Sequence, residues 1–306
     1  MGKKKKKSLL FRYIEYLIVL SLIKFISILT YKMASDIGGL LGRIIYYVDT
    51  KHRNIALKNL HRAFPEAGIQ SIKFIAKSSF ENLGRSAAEV IHISTRSKTH
   101  TLQKTMYDWI TVDGSDNISK AQEKEKGILF LSAHFGNWEL LGISLAATGY
   151  SLNVVARPLD NPWIGRLLTS FRSLTGARVL PKKGVLRDIL RRLKNGEGVV
   201  ILIDQNTSRN EGAFVDFFGY PAATNRGPAL IAMKSGSPVI PFFVIREGQY
   251  RHRIVYCHEI PVQKSNDIEE DILINTENFT KVVESYIRKY PEQWFWMHQR
   301  WKTKPE

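Results

Sequence analysis

Beyond residue 125 the chain alternates short apolar runs with amphipathic stretches. Residues 128–133 (ILFLSA) predict a buried strand. SLNVVARP predicts a second strand, ended by Pro158. NPWIGRLLTSFRSLTG then carries Pro162 at its start and Gly176 at its end, the asymmetry of a helix. ARVLP is a short strand, and GVLRDILRRLKNGEG is an amphipathic helix closed by Gly196. VVILID, PVIPFFVI and HRIVYCHEI read as further strands. RGPALIAMKSG and residues 270–290 read as helices. Residues 50–95 are helical, with a break at FPEAG. Strands alternating with helices predict an α/β fold: a single domain with a mixed, mainly parallel sheet flanked by helices. Functional side chains on such a sheet collect where strands end.

The first 35 residues differ. Five lysines (Lys3–Lys7) precede a long apolar stretch that Arg12, Glu15 and Lys24 interrupt. At ~100° per residue these charges, with Ser27 and Thr30, fall on one half of a helix, and the other half is almost wholly apolar. No small-residue cleavage site follows, as a secretory signal would require. Basic residues flank both sides, so the positive-inside rule sets no orientation. The expectation is an N-terminal apolar membrane-anchor helix at residues 1–35, lying in the interface or spanning, ahead of one domain over residues 36–306.

Charge sharpens this picture. The formal net charge is +17 over 306 residues. Residues 1–62 hold 13 Lys/Arg against 3 Asp/Glu, and residues 157–194 hold 10 against 2. Two basic zones on an otherwise balanced chain call for anionic contacts. A basic nucleic-acid-binding protein is the competing class, but no nucleic-acid module is recognisable and the apolar first segment argues against it. The single cysteine, Cys257, excludes an intramolecular disulfide and a Cys-based metal cluster.

Candidate chemistry centres on GILFLSAHFGNWELLG, residues 127–142. His134 stands at the end of a predicted buried strand, the position for a general base whose ordinary pKa lies near working pH. Glu139 falls in the first turn of the next helix, placed to fix one ring nitrogen while the other faces a substrate hydroxyl. Gly136 admits a ligand to the backbone, and the N–H groups near Asn137 and Trp138 suit an anion. Spacing alone does not establish this. About one chance His-x4-acid match is expected in a chain of this composition, and His61 with Glu66 supplies it. That pair lacks a strand leading in. No zinc-protease histidine pair, Gly-x-Ser-x-Gly elbow or phosphate loop occurs.

AHFGNWE resembles the His-x4-Asp/Glu block of the lysophospholipid acyltransferase superfamily. KNLHRAFPE (58–66), ARPLDNP (156–162), DQN (204–206), VDFFGYPAATNRGPALIA (215–232), PVIP (238–241) and PEQWFWMHQRWKT (291–303) resemble, in order, its bacterial late lipid A branch. The resemblance implies an acyltransferase domain over residues 36–306 that moves a fatty acyl chain from a thioester to a hydroxyl of a lipid A precursor. The donor would be acyl carrier protein or acyl-CoA, the acceptor an anionic lipid, with no metal or other cofactor and no nucleic acid. His134 and Glu139 would be catalytic. Asn137, Arg157, Arg172 and Asp204 would be on the substrate side. The site would work at the cytoplasmic face of the inner membrane. The Pro-Glu-Gly-Thr-Arg signature of the glycerophospholipid branch is missing, with Asp204-Gln205-Asn206 at the corresponding strand end. That leaves lipid A precursors and other glycolipids, such as mannosylated inositol lipids, as acceptors. Trp294, Trp296 and Trp301 suit either a membrane interface or the core.

Overall fold

The computed structural model describes residues 8–96, 109–142, 151–156, 159–174, 177–181 and 184–305. Four helices come first: α1 (Leu9–Ile28), α2 (Tyr31–Val48), α3 (Thr50–Ala63) and α4 (Ile69–Arg96). The first three begin on side-chain caps, with Ser8, Thr30 and Asp49 accepting from the backbone N–H groups of Phe11, Met33 and His52. The backbones of α2 and α4 touch. A Cβ on Gly38 would meet the Gly84 carbonyl oxygen at 2.4 Å, and one on Gly42 the Phe80 carbonyl oxygen at 2.2 Å. Only glycine permits so close a crossing.

The sheet follows. Its strands are β1 (Ile110–Asp113), β2 (Leu129–Ser132), β3 (Leu152–Ala156), β4 (Arg178–Pro181), β5 (Gly198–Leu202), β8 (Val239–Glu247) and β9 (Arg251–Tyr256). Their spatial order is β1-β9-β8-β2-β5-β3-β4. Every neighbouring pair is parallel except β8 with β9. The connections carry α5 (Ser115–Gln122), α6 (Pro162–Leu174), α7 (Leu186–Lys194) and α8 (Gly227–Ser235), and α9 (Ile268–Lys289) comes last. β2 lies inside the sheet between β8 and β5, and all four of its residues are buried. Its register decides the site. Ser132 pairs with Leu202, so His134 and Asp204 each lie two residues past the same rung on adjacent parallel strands.

Two features depart from the sequence expectation, and a third decides an alternative that it left open. β1 is a four-residue edge strand with three exposed positions, too short and too wet for a periodicity to register. A separate hairpin, β6 (Gly212–Phe217) and β7 (Tyr220–Asn225), turns on Phe218 and Gly219, both at positive φ (57° and 77°). A two-residue turn of this kind needs both residues left-handed, and Phe is an unusual choice for it. The Phe218 N–H donates to Glu284 Oε2 at 2.6 Å, and the Arg288 guanidinium lies 4.4 Å from its ring centroid. Trp294, Trp296 and Trp301 settle in the core, at 1, 0 and 5 % exposure, rather than at an interface. They pack against Phe217 and each other because α9, the hairpin and the final segment close over that end of the sheet.

The N-terminal expectation also changes. Among the described residues no helix is long and apolar enough to cross a membrane. α1 instead docks on the domain: Tyr13 and Tyr16 pack on Trp163, and Asn161 Nδ2 donates to the Arg12 carbonyl at 2.8 Å. Its charged residues therefore face protein as well as water, and the outer side chains Leu10, Ile14, Ile18 and Ile28 stay exposed. The lysine run lies outside the described residues.

Candidate active site

His134 leaves β2 into a turn that only glycine completes. Gly136 has φ 57°, and a Cβ there would meet the Val244 carbonyl oxygen at 1.7 Å. Its bareness thus serves packing against β8, and ligand approach is not what it provides. The turn is braced from outside: Gly136 N–H donates to the Gln293 carbonyl at 2.9 Å, and Phe295 N–H to the His134 carbonyl at 3.1 Å.

The ring nitrogen expected to meet Glu139 meets Asp204. His134 Nδ1 lies 2.8 Å from Asp204 Oδ1, and Trp294 Nε1 donates to Asp204 Oδ2 at 2.8 Å. Both oxygens of Asp204 are thus engaged inside the protein, and this side chain is the histidine's partner, not a contact to substrate. Burial alone would push the Asp204 carboxyl up. The His134 charge outweighs it, together with hydrogen bonds from the ring, from Trp294 and from the His134 backbone, and holds it at about 2. An ionised Asp204 has no proton to give, so Nδ1 carries the hydrogen, and in the neutral ring the lone pair is left on Nε2. Gln205 Nε2 lies 3.2 Å from that nitrogen. Trp138 and Phe295 flank the ring, and the His134 side chain remains 23 % exposed.

Glu139 points elsewhere. It sits on a single 3-10 turn, Trp138–Leu140, and faces α6. Arg172 Nε and Nη2 grip its two oxygens at 2.9 and 2.5 Å. The fork expected to hold an anionic substrate is spread over Glu139, and Glu139 is spent on Arg172. Asn137, expected on the substrate side, is 1 % exposed and turned toward α4, where its Nδ2 donates to Glu89 Oε2 at 2.9 Å. Arg157 lies outside the described residues. Among the described residues no cluster of His, Cys, Asp or Glu could hold a metal ion.

Gln205 and Trp294 carried no role at the site in the sequence reading, although both lie in its quoted blocks. The signal for Asp204 and Gln205 was available: VVILID pairs in parallel with ILFLSA, and two strands of one register end side by side. Nothing local marks Trp294, which arrives 90 residues after Asp204.

His298 completes the surroundings. Its Nε2 accepts from the Asn206 N–H at 2.7 Å. Burial pushes the ring down to about 4, helped by Arg300, His134 and Lys302 and opposed by Asp204. Arg300 is fully buried, donating to the Ala223 carbonyl and to Thr224 Oγ1. Burial takes it down to about 10, against the pull of Asp204.

The site is thus a partly exposed histidine at the end of a central parallel strand, with one ring nitrogen held by a buried carboxylate, and the comparisons with known proteins give the class as acyltransferase. The chain belongs to the bacterial lipid A biosynthesis acyltransferase family, whose sequence model matches residues 1–303. It is similar to the lipid A biosynthesis lauroyltransferase of Escherichia coli K12, 28 % identical over 91 % of this chain and 88 % of that one. The palmitoleoyltransferase of the same organism is 25 % identical over 90 % and 87 %. A phosphatidylinositol mannoside acyltransferase of Mycobacterium tuberculosis is 28 % identical over 63 % and 61 %.

Proposed function

We propose that this protein transfers a fatty acyl chain from an acyl thioester to a hydroxyl of a lipid A precursor, with His134 as general base and Asp204 as its partner. The observation that carries the reading is the hydrogen-bonded pair of His134 Nδ1 and buried Asp204, which leaves Nε2 as the acceptor on the open side. The acceptor hydroxyl takes the place where Gln205 now meets Nε2. Nε2 removes its proton as the oxygen attacks the thioester carbonyl carbon. The tetrahedral intermediate collapses, the C–S bond breaks, and the leaving sulfur receives the proton from the imidazolium. Asp204 stays ionised throughout and stabilises that imidazolium, so its charge matters most when the ring is charged. Glu139 acts through Arg172, tying the turn after His134 to α6.

The membrane face of the reading rests on α1 and α2. Exposed Leu10, Ile14, Ile18, Leu40, Ile44 and Val48 lie on helices that also expose Lys24 and Lys32, the composition of an interfacial contact with anionic lipid at the cytoplasmic side of the inner membrane. Arg166, Arg187, Arg191 and Lys194 are exposed on α6 and α7, a basic surface suited to an acidic donor such as acyl carrier protein.

Purified protein supplied with acyl-acyl carrier protein or acyl-CoA and a phosphorylated disaccharide lipid A precursor should yield a product heavier by one acyl group by mass spectrometry. Turnover only with a mannosylated inositol lipid would move the acceptor to the glycolipid class of the mycobacterial relative. No turnover with either acceptor and either donor would refute the reading.

A further inference from the structure

We propose that Trp294 is a positioning residue for the reaction: its indole N–H fixes the Asp204 carboxylate, so that the other oxygen holds His134 with Nε2 free to accept a proton. The inference rests on His134 being the base. The Asp204 side chain is almost fully buried, so both of its oxygens need donors. His134 Nδ1 meets Oδ1 and Trp294 Nε1 meets Oδ2, each at 2.8 Å. Indole offers a hydrogen and no acceptor. A proton on Oδ2 would face the indole N–H head on, so Trp294 keeps that oxygen an acceptor and, with the His134 charge, favours the ionised carboxylate. That carboxylate can only accept from Nδ1, which settles the tautomer of the ring.

Trp294 is itself held rigidly. It is 1 % exposed and packs edge-on against Trp296 and Phe217, with ring centroids 4.6 and 5.6 Å away. Its backbone forms a bridge with Phe135, and its neighbours Gln293 and Phe295 bind the main chain of Gly136 and His134. Residues 293–295 therefore grip the His134 turn by its backbone and Asp204 by its side chain. A single short segment sets the distance between the two members of the pair. Among the described residues, His298 and Arg300 of the same final segment also act electrostatically on the pair, His298 on both members and Arg300 on Asp204.

Trp294→Phe keeps the aromatic bulk and removes the N–H. Asp204, short of one donor, becomes more basic and holds the His134 imidazolium more tightly. The His134 titration followed by NMR in the substrate-free protein should rise by about one pH unit. The acid limb of kcat/KM should move by the same amount, a roughly tenfold loss below it that recovers at higher pH, with acceptor KM little changed. Trp296→Phe is the control, because its N–H donates to the Pro291 carbonyl and not to Asp204. It should leave the titration where it is. An unmoved His134 titration in Trp294→Phe, or an equal movement in Trp296→Phe, would overturn the proposal. Should Trp294→Phe not fold, the wild-type indole N–H resonance of Trp294 decides: it should shift as His134 titrates, and a resonance indifferent to that step counts against the role. The NMR titration needs no substrate. A moved titration without any acyl transfer would sink the function and leave the positioning intact.

Discussion

His134 with Asp204 and His252 with Glu89 are both histidine–carboxylate contacts, at 2.8 and 3.0 Å. Their surroundings make them different objects. Glu89 is shared among Arg246, His252, Asn137 and Ser35, so its charge is balanced by a guanidinium and spread over four partners. His252 is fully buried, and its Nδ1 finds no hydrogen-bond partner among the described residues. Burial pushes its pKa down, with Glu89 opposing that and Arg246 adding to it. Among the described residues the only direct partners of Asp204 are one histidine and one indole, and that histidine opens to the outside. A carboxylate already paired with arginine has little to offer a second cation. One facing only a histidine makes that histidine responsive. The Glu89 cluster joins α2, α4, β8 and β9 and the Asn137 turn, so it builds the platform, and the Asp204 pair stands on it.

The largest effect should separate the two sites by rate. His134→Ala should lower turnover by roughly 10²–10⁴-fold, while His252→Gln leaves kcat of the folded fraction near wild type. Comparable losses in both would erase the distinction. By stability the order reverses. Glu89→Gln strips the buried Arg246 of its counter-charge and should cost about 3–5 kcal/mol in urea unfolding, with the His134 titration unmoved.

The third comparison uses pH. The folded pKa of His298, about 4, lies below its ordinary value of 6.5. Its neutral ring therefore contributes stability that is complete above the ordinary value and is lost as pH falls through about 4, roughly 3 kcal/mol in all. Asp204, held at about 2 against an ordinary 3.8, adds a second loss confined to pH below about 4. Urea midpoints between pH 7 and 4 should fall in wild type and stay flatter in His298→Gln. Equal slopes would mean that His298 is protonated in the fold.

The smallest effect tests the path taken by Glu139. Glu139→Gln should slow turnover about tenfold, and Arg172→Gln by a similar factor, since a misplaced turn a few residues from the base is costly. The double substitution should be no worse than either single one. Additive losses, or an acid limb displaced in Glu139→Gln alone, would return Glu139 to direct action on His134.

Legibility in the sequence followed the range of the interactions. The mainly parallel sheet and most of its strands followed from apolar runs between Gly- and Pro-marked helices, because burial on both faces writes itself into consecutive residues. His134 was legible as a strand-end histidine for the same reason. Its partner was legible only through the pairing of two predicted strands, because a His-x4-Glu spacing counts along the chain and the true contact runs across a ladder, from residue 134 to residue 204. The Arg172–Glu139 pair spans 33 residues and depends on how α6 lies over the sheet, which periodicity does not encode. The three tryptophans read equally well as interface or core until the hairpin that covers them was in view, and that hairpin turns on Phe-Gly where Asn-Gly would have announced it.

The grip of residues 293–295 on the His134 turn has a kinetic side. The site's hydrogen bonds close loops of 70 and 90 residues, among the slowest contacts a chain of this kind can form. A refolding intermediate with its sheet largely paired would still lack the indole over Asp204, and with it a poised base. Recovered activity should therefore lag behind recovered β-structure after dilution from denaturant, and should keep step with the change in tryptophan fluorescence as Trp294 enters its slot. The enzyme's last act of folding would also be the one that switches it on.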